Sequence, residues 1–573
     1  MTFRDGTLVD WRPWGEEAFA AADRAGLPVL CALTAPWCTW CARMDEETYS
    51  APTVAARVGE DFVPVRVDVD RHPRVRDRYN MGGFPSTVFL TPAGEVLSGA
   101  TYLGPEGMRQ VLESVRRTWE EEGADAGRVP RALDDGRPPG GEVTDAVESH
   151  MTAQVAAAFD AEFGGWGTDA KFPLARTVEY ALKRDRDRGT RTLEAIRTHL
   201  YDTYDGGFYR FAETREWGEP HREKLTDENA ALVRAFASGY LYTGEEPYRE
   251  TAAGAVGYLT TTAWTGEAFA ASQAGGEYFL LEPADREGAD PPHVDETLLA
   301  DRNGLAAEAL FRFAAVSDDD DGAARYAERA LETVLDRLVT DGRVAHFDGE
   351  DSETGLLVDH ARLLAGLTAA AQVTGPDGWL EPARAVADDA IDRLQEPATV
   401  HGGGDGSTDP VGEQGGDHDG ETGAERAVGD GNTLGGAFLD GPPAGPGLLA
   451  RPLRPIDTNA EMADALVDLW ALTGAARYRE AARDALAAFA GAHDRMGVEV
   501  AGYAAACARV REPLVVRTPP SGTALHRAAL RLPDHEKVVV PGERADAVVV
   551  RDGETSEPAA TPEELQDLVP RTR

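Results

Sequence analysis

Two cysteines separated by two residues, Cys38-Thr39-Trp40-Cys41, carry the strongest chemical signal in this 573-residue chain, which holds four cysteines in all. They follow an apolar run, Val29-Leu30-Cys31-Ala32-Leu33, that reads as a buried strand, and they open a segment, Ala42 to Tyr49, that reads as a helix. The chemistry such a placement allows is thiol–disulfide exchange. A helix start offers free N–H groups and a partial positive charge, both of which lower the pKa of the first thiol. Cys38 is then the attacking thiolate, and Cys41 is the thiol that closes the disulfide. A zinc site would need two further ligands. Cys31 lies within the strand run, Cys507 is remote and no His pair is near, so no metal is expected.

A second cluster runs from Trp217 to Asn229, where His, Glu, Lys, Asp and Asn crowd a loop leading into a helix. His221 and Glu223 are candidates for acid and base. Lys224 stands out because only four residues are Lys while 53 are Arg. A lysine kept in such a background suggests a role that Arg cannot fill. Candidate ligand-binding residues are Trp40 and Pro85 beside the cysteines, and Trp166, Lys171, Trp217, Lys224, Asp227, Asn229, Gln273, Asp359 and His360 in the later segments.

The elements that must position these residues fall into distinct stretches. Phe62 to Asp68 alternates as a strand does, Gly82-Gly83-Phe84-Pro85 precedes a second strand at Ser86 to Leu90, and Gly104 to Glu122 reads as an amphipathic closing helix. A Pro before a central strand predicts a cis-Pro loop facing the cysteines. Residues 1–122 therefore read as a thioredoxin-like domain. The position six residues before Cys38 is Ala32, so the buried acid usual in that fold is missing.

Residues 123–141 are rich in Gly, Asp, Arg and Pro and read as a linker. From 142 to 511 the pattern becomes helical. About twelve helices are predicted, beginning near Val143, Pro173, Thr190, Thr226, Pro247, Asn303, Gly322, Gly355, Glu381, Asp457, Ala475 and Val498. Recurring hinges such as Tyr242-Thr243-Gly244 and Leu472-Thr473-Gly474, with Gly-Gly-aromatic loops at Gly164, Gly206 and Gly435, argue for repeated helical pairs and an (α/α)6 toroid. An open superhelix of hairpins is the alternative. Residues 399–433 are dominated by Gly, Asp and Glu and read as a disordered insertion. Residues 512–573 read as a small α/β tail.

The net charge is −43, with acids spread along the whole chain. Such a charge strains a compact state by self-repulsion. At about 1 M salt the Debye length is only about 3 Å and the repulsion is screened. A halophilic cytoplasm is the expected setting, with no nucleic-acid partner because no basic face appears. No apolar run is long enough for a membrane span, and Met1 to Asp5 lacks a signal peptide's apolar core.

Together these motifs resemble the spermatogenesis-associated protein 20-like family, which includes YyaL-type proteins of bacteria. The matching segments are Trp11-Arg12-Pro13-Trp14, Cys38-Thr39-Trp40-Cys41 with Met44, Gly82 to Pro92, Lys171-Phe172-Pro173, Gly206 to Arg210, and Trp217 to Asn229. The resemblance implies a thioredoxin-like domain joined to a six-hairpin glycosidase-like (α/α)6 domain. It covers most of the chain but departs at Thr39 (for His), at Phe84 (for Trp), at Ser272-Gln273-Ala274-Gly275-Gly276, which lacks two acids, and at Arg302-Asn303-Gly304-Leu305. A late cysteine pair expected near Val549 and Thr555 is absent. Three functions follow as expectations. The first is a thiol–disulfide oxidoreductase with a thiol-bearing protein partner and no cofactor. The second is a carbohydrate-active epimerase, isomerase or hydrolase acting on a sugar-like molecule through His221 and Glu223 in the toroid cavity. The third is a non-catalytic binding module.

Overall fold

A computed structural model describes residues 7–133, 136–317, 321–397, 436–551 and 553–569. The insertion expected at 399–433 lies outside the described residues.

The N-terminal sheet is built from β1 (Arg12–Pro13), β2 (Val29–Thr34), β3 (Val63–Asp68), β4 (Ser86–Leu90) and β5 (Val96–Ala100), in the order β1-β3-β2-β4-β5. β3 lies parallel to β1 and β2, whereas β4 is antiparallel to β2 and β5 is antiparallel to β4. Helices α1 (Glu16–Ala25), α2 (Thr39–Met44), α3 (Pro52–Asp61), α4 (Pro73–Tyr79) and α5 (Pro105–Glu122) flank the sheet. β2 is an unbroken apolar run because both of its faces are covered. Cys31 and Leu33 pack with Phe19 and Tyr79 on one side, while Leu30 and Ala32 pack with Phe62, Phe89 and Leu112 on the other. This is the thioredoxin-like fold that the sequence predicts. α2 starts three residues earlier than the pattern suggests and passes into a wider π-wound turn over Asp45–Tyr49. The stretch 123–141, read as a linker from its composition, is not free of the domain, because Leu133 is buried in its core.

The next helices are α6 (Asp145–Ala157), α7 (Ala175–Arg184), α8 (Arg186–His199), α9 (Thr226–Thr243), α10 (Glu246–Thr261) and the short α11 (Pro283–Arg286). They continue as α12 (Ala300–Val316), α13 (Asp321–Leu338), α14 (Leu357–Val373), α15 (Leu380–Leu394), α16 (Ile456–Thr473), α17 (Ala476–Ala487) and α18 (Ala501–Arg511). α7, α9, α12, α14, α16 and α18 each pack on the next, and α18 returns to α7. The ring therefore closes, with α6, α8, α10, α13, α15 and α17 outside it, which decides for the (α/α)6 toroid over an open superhelix. Inner helices are buried on nearly every side, and the charged residues they carry, such as Asp301, Arg302 and Glu308 of α12 and Arg234 of α9, are paired with one another or with neighbouring elements. Along α12, for example, every residue from Ala300 to Phe311 is buried.

Both mouths of the toroid are occupied. At the end where the inner helices finish, a small sheet places Val515–Thr518 between Val538–Pro541 and Val548–Arg551. Its Val539 N–H donates to Gln372 of α14 at 2.9 Å, and Glu536 beside it pairs with Lys183 and Arg184 of α7. At the end where the inner helices begin, the thioredoxin-like domain inserts α4. Arg78 there is fully buried and donates to Asp440 at 2.7 Å.

Candidate active-site cleft

Cys38 is the N-cap of α2, and its sulfur accepts the Cys41 N–H at 3.0 Å. This is the local geometry that stabilises a thiolate. The two cysteines form a disulfide with Cα atoms 5.2 Å apart. Cys38 is only 7% exposed, and it reaches solvent through one cleft of about 1000 Å³. Burial pushes the thiols of Cys31 and Cys507 well up, so these two remain inert.

The cleft has two walls. Trp37, Cys38, Thr39, Trp40, Asn80 and Phe84 come from the thioredoxin-like domain. Arg210, Phe211, Glu213, His221 and Glu223 come from toroid loops ahead of α9, and Gly275 comes from the loop after Ser272–Gln273. The cysteine pair and the His221–Glu223 pair thus face one space, although the sequence places them in separate domains. Phe84–Pro85 is a cis peptide, and Phe84 lines the cleft edge to face with Trp37 at 5.9 Å between ring centres. Arg210 bridges the walls, with its guanidinium 4.6 Å above the Trp37 ring and 3.4 Å from Glu223.

Gly275 sits where the two walls touch. Its N–H donates to Trp37 O, and a side chain there would meet Thr39 Oγ1 at 3.1 Å and the Glu223 backbone at 3.3 Å. A glycine at this position lets the two walls meet.

His221 lies between two carboxylates, with Nε2 2.6 Å from Glu213 and Nδ1 3.5 Å from Glu223. Hydrogen bonding to Glu223, the buried partner, and then to Glu213 raises the His221 pKa against the opposing effect of burial. Burial pushes Glu223 up, but His221 and Arg210 outweigh it, and its pKa falls below the ordinary value. The imidazole stacks on Phe211 at 4.2 Å, which in turn stacks on Phe172 at 4.6 Å. Phe172 and Trp40 both expose large parts of their rings.

The other sequence candidates lie elsewhere. Lys171 and Lys224 are fully buried and touch neither the cleft nor the axis. Lys171 Nζ donates to Asp160 and Gly167 O, and Lys224 Nζ donates to Asp202 and Gly206 O. Asp160 and Asp202 each cap a matching loop, aromatic-Asp-x-x-x-Gly-Gly-aromatic, whose paired glycines hold φ of 71° to 76°. Trp166 and Trp217 are core residues that brace the first of these loops through Val155 O and Phe163 O. Asn229 fixes the second by bonding both backbone groups of Phe208. Gln273 is buried in a three-stranded ribbon between Lys224–Leu225 and Val294–Asp295. His360 binds Leu356 O and Asp389.

Asp227 lines a different space, an axial chamber of about 130 Å³ roofed by Asp70, Arg74 and Arg76 and walled by the starts of α9, α12, α14 and α16. Small-molecule sites usually run about 300–1000 Å³. The outer cleft is of that size and the axial chamber is not. The sequence did not single out Arg210, Glu213 or His346, which pairs with Asp359 at 2.8 Å beside this chamber.

Comparison with known proteins fits this architecture. The family model Thioredox_DsbH, described as a protein of unknown function, DUF255, matches residues 4–133. Over 317 residues the chain is 29% identical to human spermatogenesis-associated protein 20, a stretch that makes up 48% of this chain and 39% of the relative. The chain is similar to spermatogenesis-associated protein 20. The resemblance read from its motifs is thereby borne out, although the aligned part spans well under half of these relatives' length. A stretch of 106 residues is 33% identical to thiol:disulfide interchange protein DsbD 1 of Pseudomonas aeruginosa and covers 18% of each chain. Among solved structures, a sugar epimerase from a ruminal bacterium superposes with a TM-score of 0.44 at 13% identity, over 60% of this chain and 85% of that one. The chain joins a thioredoxin-like domain, over residues 4–133 of the family match, to a closed (α/α)6 toroid.

Proposed function

We propose that the chain is a thiol–disulfide oxidoreductase acting inside the cleft between its two domains. The observation that carries this reading is the shared space of Cys38, at a helix start, and the His221 pair on the opposite wall. In the oxidised protein, a substrate thiolate attacks Cys38 Sγ, the Cys38–Cys41 bond breaks, and Cys41 leaves as a thiolate. A second substrate thiolate then attacks the substrate sulfur of the mixed disulfide and releases Cys38. The substrate loses two electrons, the Cys38–Cys41 pair gains them, and the two protons of the substrate thiols are released. His221 suits the proton traffic, because an imidazole lining the same cleft can accept and return a proton, and Glu223 and Glu213 favour its charged form. Such a base on the facing wall supports exchange without the acid missing at Ala32. Access to Cys38 only through the cleft favours a dedicated thiol partner over a general reductant.

The test is trapping. In Cys41→Ser the exchange runs in reverse: the Cys38 thiolate attacks an oxidised substrate's disulfide, expels one substrate thiolate and, with no Cys41 thiol to resolve it, should accumulate as a mixed disulfide, whereas Cys38→Ser should not. Absence of any trapped partner from the native cell extract would overturn the reading.

A second reading rests on the exposed face of Phe172 at the end of its stack with Phe211 and His221. An aromatic face flanked by Glu213 and Glu223 suits a sugar ring. For such a ligand the outer cleft of about 1000 Å³ offers room that the axial chamber of about 130 Å³ does not. A sugar panel that raises the melting temperature, with turnover lost in His221→Ala, is the outcome expected from this alternative.

A further inference from the structure

Asp301 opens α12, Asp359 opens α14, and His346 lies in the loop between α13 and α14. All three are buried. One carboxylate oxygen from each aspartate and one imidazole nitrogen lie within 4.8 Å of one another. Two further observations make this more than an acidic cluster. Asp359 is wholly buried, yet its Oδ2 has no hydrogen-bond partner among the described residues, and neither has the buried Oδ1 of Asp301. Orphaned carboxylate oxygens in a dry interior are costly. His346 Nε2 lies 2.7 Å from Asp70 O, so that nitrogen carries the proton. A ring whose far N–H is fixed by a backbone carbonyl presents its other nitrogen as a ligand, which is the usual arrangement behind a metal-bound histidine.

We propose that His346 Nδ1, Asp301 and Asp359 form a binding site for one first-row divalent metal ion at the axial chamber.

One imidazole and two carboxylates are a borderline donor set, suited to Zn²⁺, Mn²⁺ or Fe²⁺ more than to all-oxygen Ca²⁺ or thiolate-seeking ions. His346 Nδ1 and Asp359 Oδ1 are now 2.8 Å apart. Ligands at about 2.1 Å in tetrahedral array stand roughly 3.4 Å apart, so loading opens this pair by well under 1 Å and draws in donors that now lie as far as 4.8 Å apart. Asp301 keeps Arg362 on its other oxygen, 2.9 Å away, which orients the carboxylate as an outer-sphere partner should. Three protein ligands leave a coordination position open, and Asp301 and His346 both line the chamber of about 130 Å³, enough for water or a small ligand. The competing state is metal-free, in which His346 is protonated and pairs with Asp359. That state leaves the two carboxylate oxygens unpaired. In loading, the metal replaces the Nδ1 proton, which passes to solvent.

The test uses the full chain, stripped with chelator and kept with Cys38–Cys41 oxidised so that no thiolate competes. Calorimetric titration with Zn²⁺, and Co²⁺ as a visible-band reporter, should show one equivalent bound per chain. Asp301→Asn, which can keep a bond to Arg362, and His346→Gln should each weaken binding by at least about tenfold. Absence of Zn²⁺ and Co²⁺ binding to the oxidised wild-type chain overturns the proposal without recourse to any variant. So does unaltered affinity in a folded Asp301→Asn protein.

Discussion

The Trp37 indole donates to Asp70 Oδ2 at 2.8 Å. The other oxygen of the same carboxylate receives Arg302 of α12 at 2.7 Å. One buried aspartate thus ties the residue preceding Cys38 to the axis of the toroid. Trp37→Phe removes one bond to a charged acceptor, at a cost of about 1.5–3 kcal/mol. Asp70→Ala leaves the buried Arg302 guanidinium without its closest carboxylate and should cost about 3–5 kcal/mol. Urea unfolding measures both, and Asp70→Ala costing no more than Trp37→Phe would show that the shared carboxylate is not the tie.

His221 should titrate above the ordinary histidine value, because Glu223 and Glu213 favour its charged form. A raised folded pKa contributes stability that is fully present below about pH 6.5, the unfolded value, and is lost as pH rises through the folded one. Glu223 works in the opposite sense. Its depressed pKa contributes stability above about pH 4.3 that is lost as pH falls through its folded value. The pair therefore stabilises the cleft most between these limits. NMR titration of the imidazole should show the midpoint falling in Glu223→Gln and, less strongly, in the more exposed Glu213→Gln.

Lys224 answers a question that composition raises, why lysine persists in an arginine-rich chain. Its ammonium sits 4.9 Å from the Tyr258 ring and 4.8 Å from the Phe279 ring while bonding Asp202 and Gly206 O. This cage fits a compact point charge and has no room for a planar fork. Lys224→Arg should therefore destabilise the fold as severely as Lys224→Met, by about 3–5 kcal/mol. Thiol exchange well below the unfolding transition should stay near wild type, because the ammonium does not line the cleft.

Asn229, Asn303 and Asn459 occupy the fourth position of α9, α12 and α16, each two residues after an aspartate. Each side-chain oxygen accepts a phenylalanine N–H, from Phe208, Phe269 and Phe438 respectively, at 2.7 to 2.8 Å. Each amide donates to the same phenylalanine's carbonyl and to the carbonyl four residues back. Replacing any of them by Ala orphans buried backbone groups, at about 1–3 kcal/mol per group. The three losses should be similar in size by urea unfolding, since the three sites are structural equivalents. A near-neutral result at any one of them would break the equivalence.

How far these features can be read from sequence depends on the range of the interactions. The cysteine motif was legible because strand, turn and helix are contiguous and have their own periods. The twelve toroid helices begin within four residues of the positions that hydrophobic period and Thr-Gly hinges suggest. The Asp-x-Asn repeat was also in plain view at Asp227, Asp301 and Asp457, and it would have marked Asn229 as a loop staple. The union of Cys38 and His221 in one cleft was not legible, because docking of α4 into the toroid mouth creates it. Lys171 and Lys224 misled for a physical reason, since scarcity of lysine signals a tight buried cage as readily as a reactive amine. His346 gave no local signal, because its partners Asp70, Asp301 and Asp359 come from three separate elements.

Arg78 is the natural place to test how the domains are joined. Its side chain is wholly buried, and besides Asp440 it donates to Leu448 O at 3.0 Å and Arg451 O at 2.7 Å. Arg78→Ala should cost about 3–5 kcal/mol and expose the domain junction to limited proteolysis. Salt separates this contact from the surface charge. With a net charge of −43, the whole chain should gain stability between 0.1 M and about 1 M KCl as self-repulsion is screened. The exposed Arg43–Glu47 pair, 3.0 Å apart, should contribute little at low salt and fade over the same range. The Arg78 loss should stay nearly constant, because a buried pair is screened far less than an exposed one. A penalty for Arg78→Ala that shrinks in step with that for Arg43→Ala would mean that water reaches the junction and that α4 is not seated in the toroid mouth.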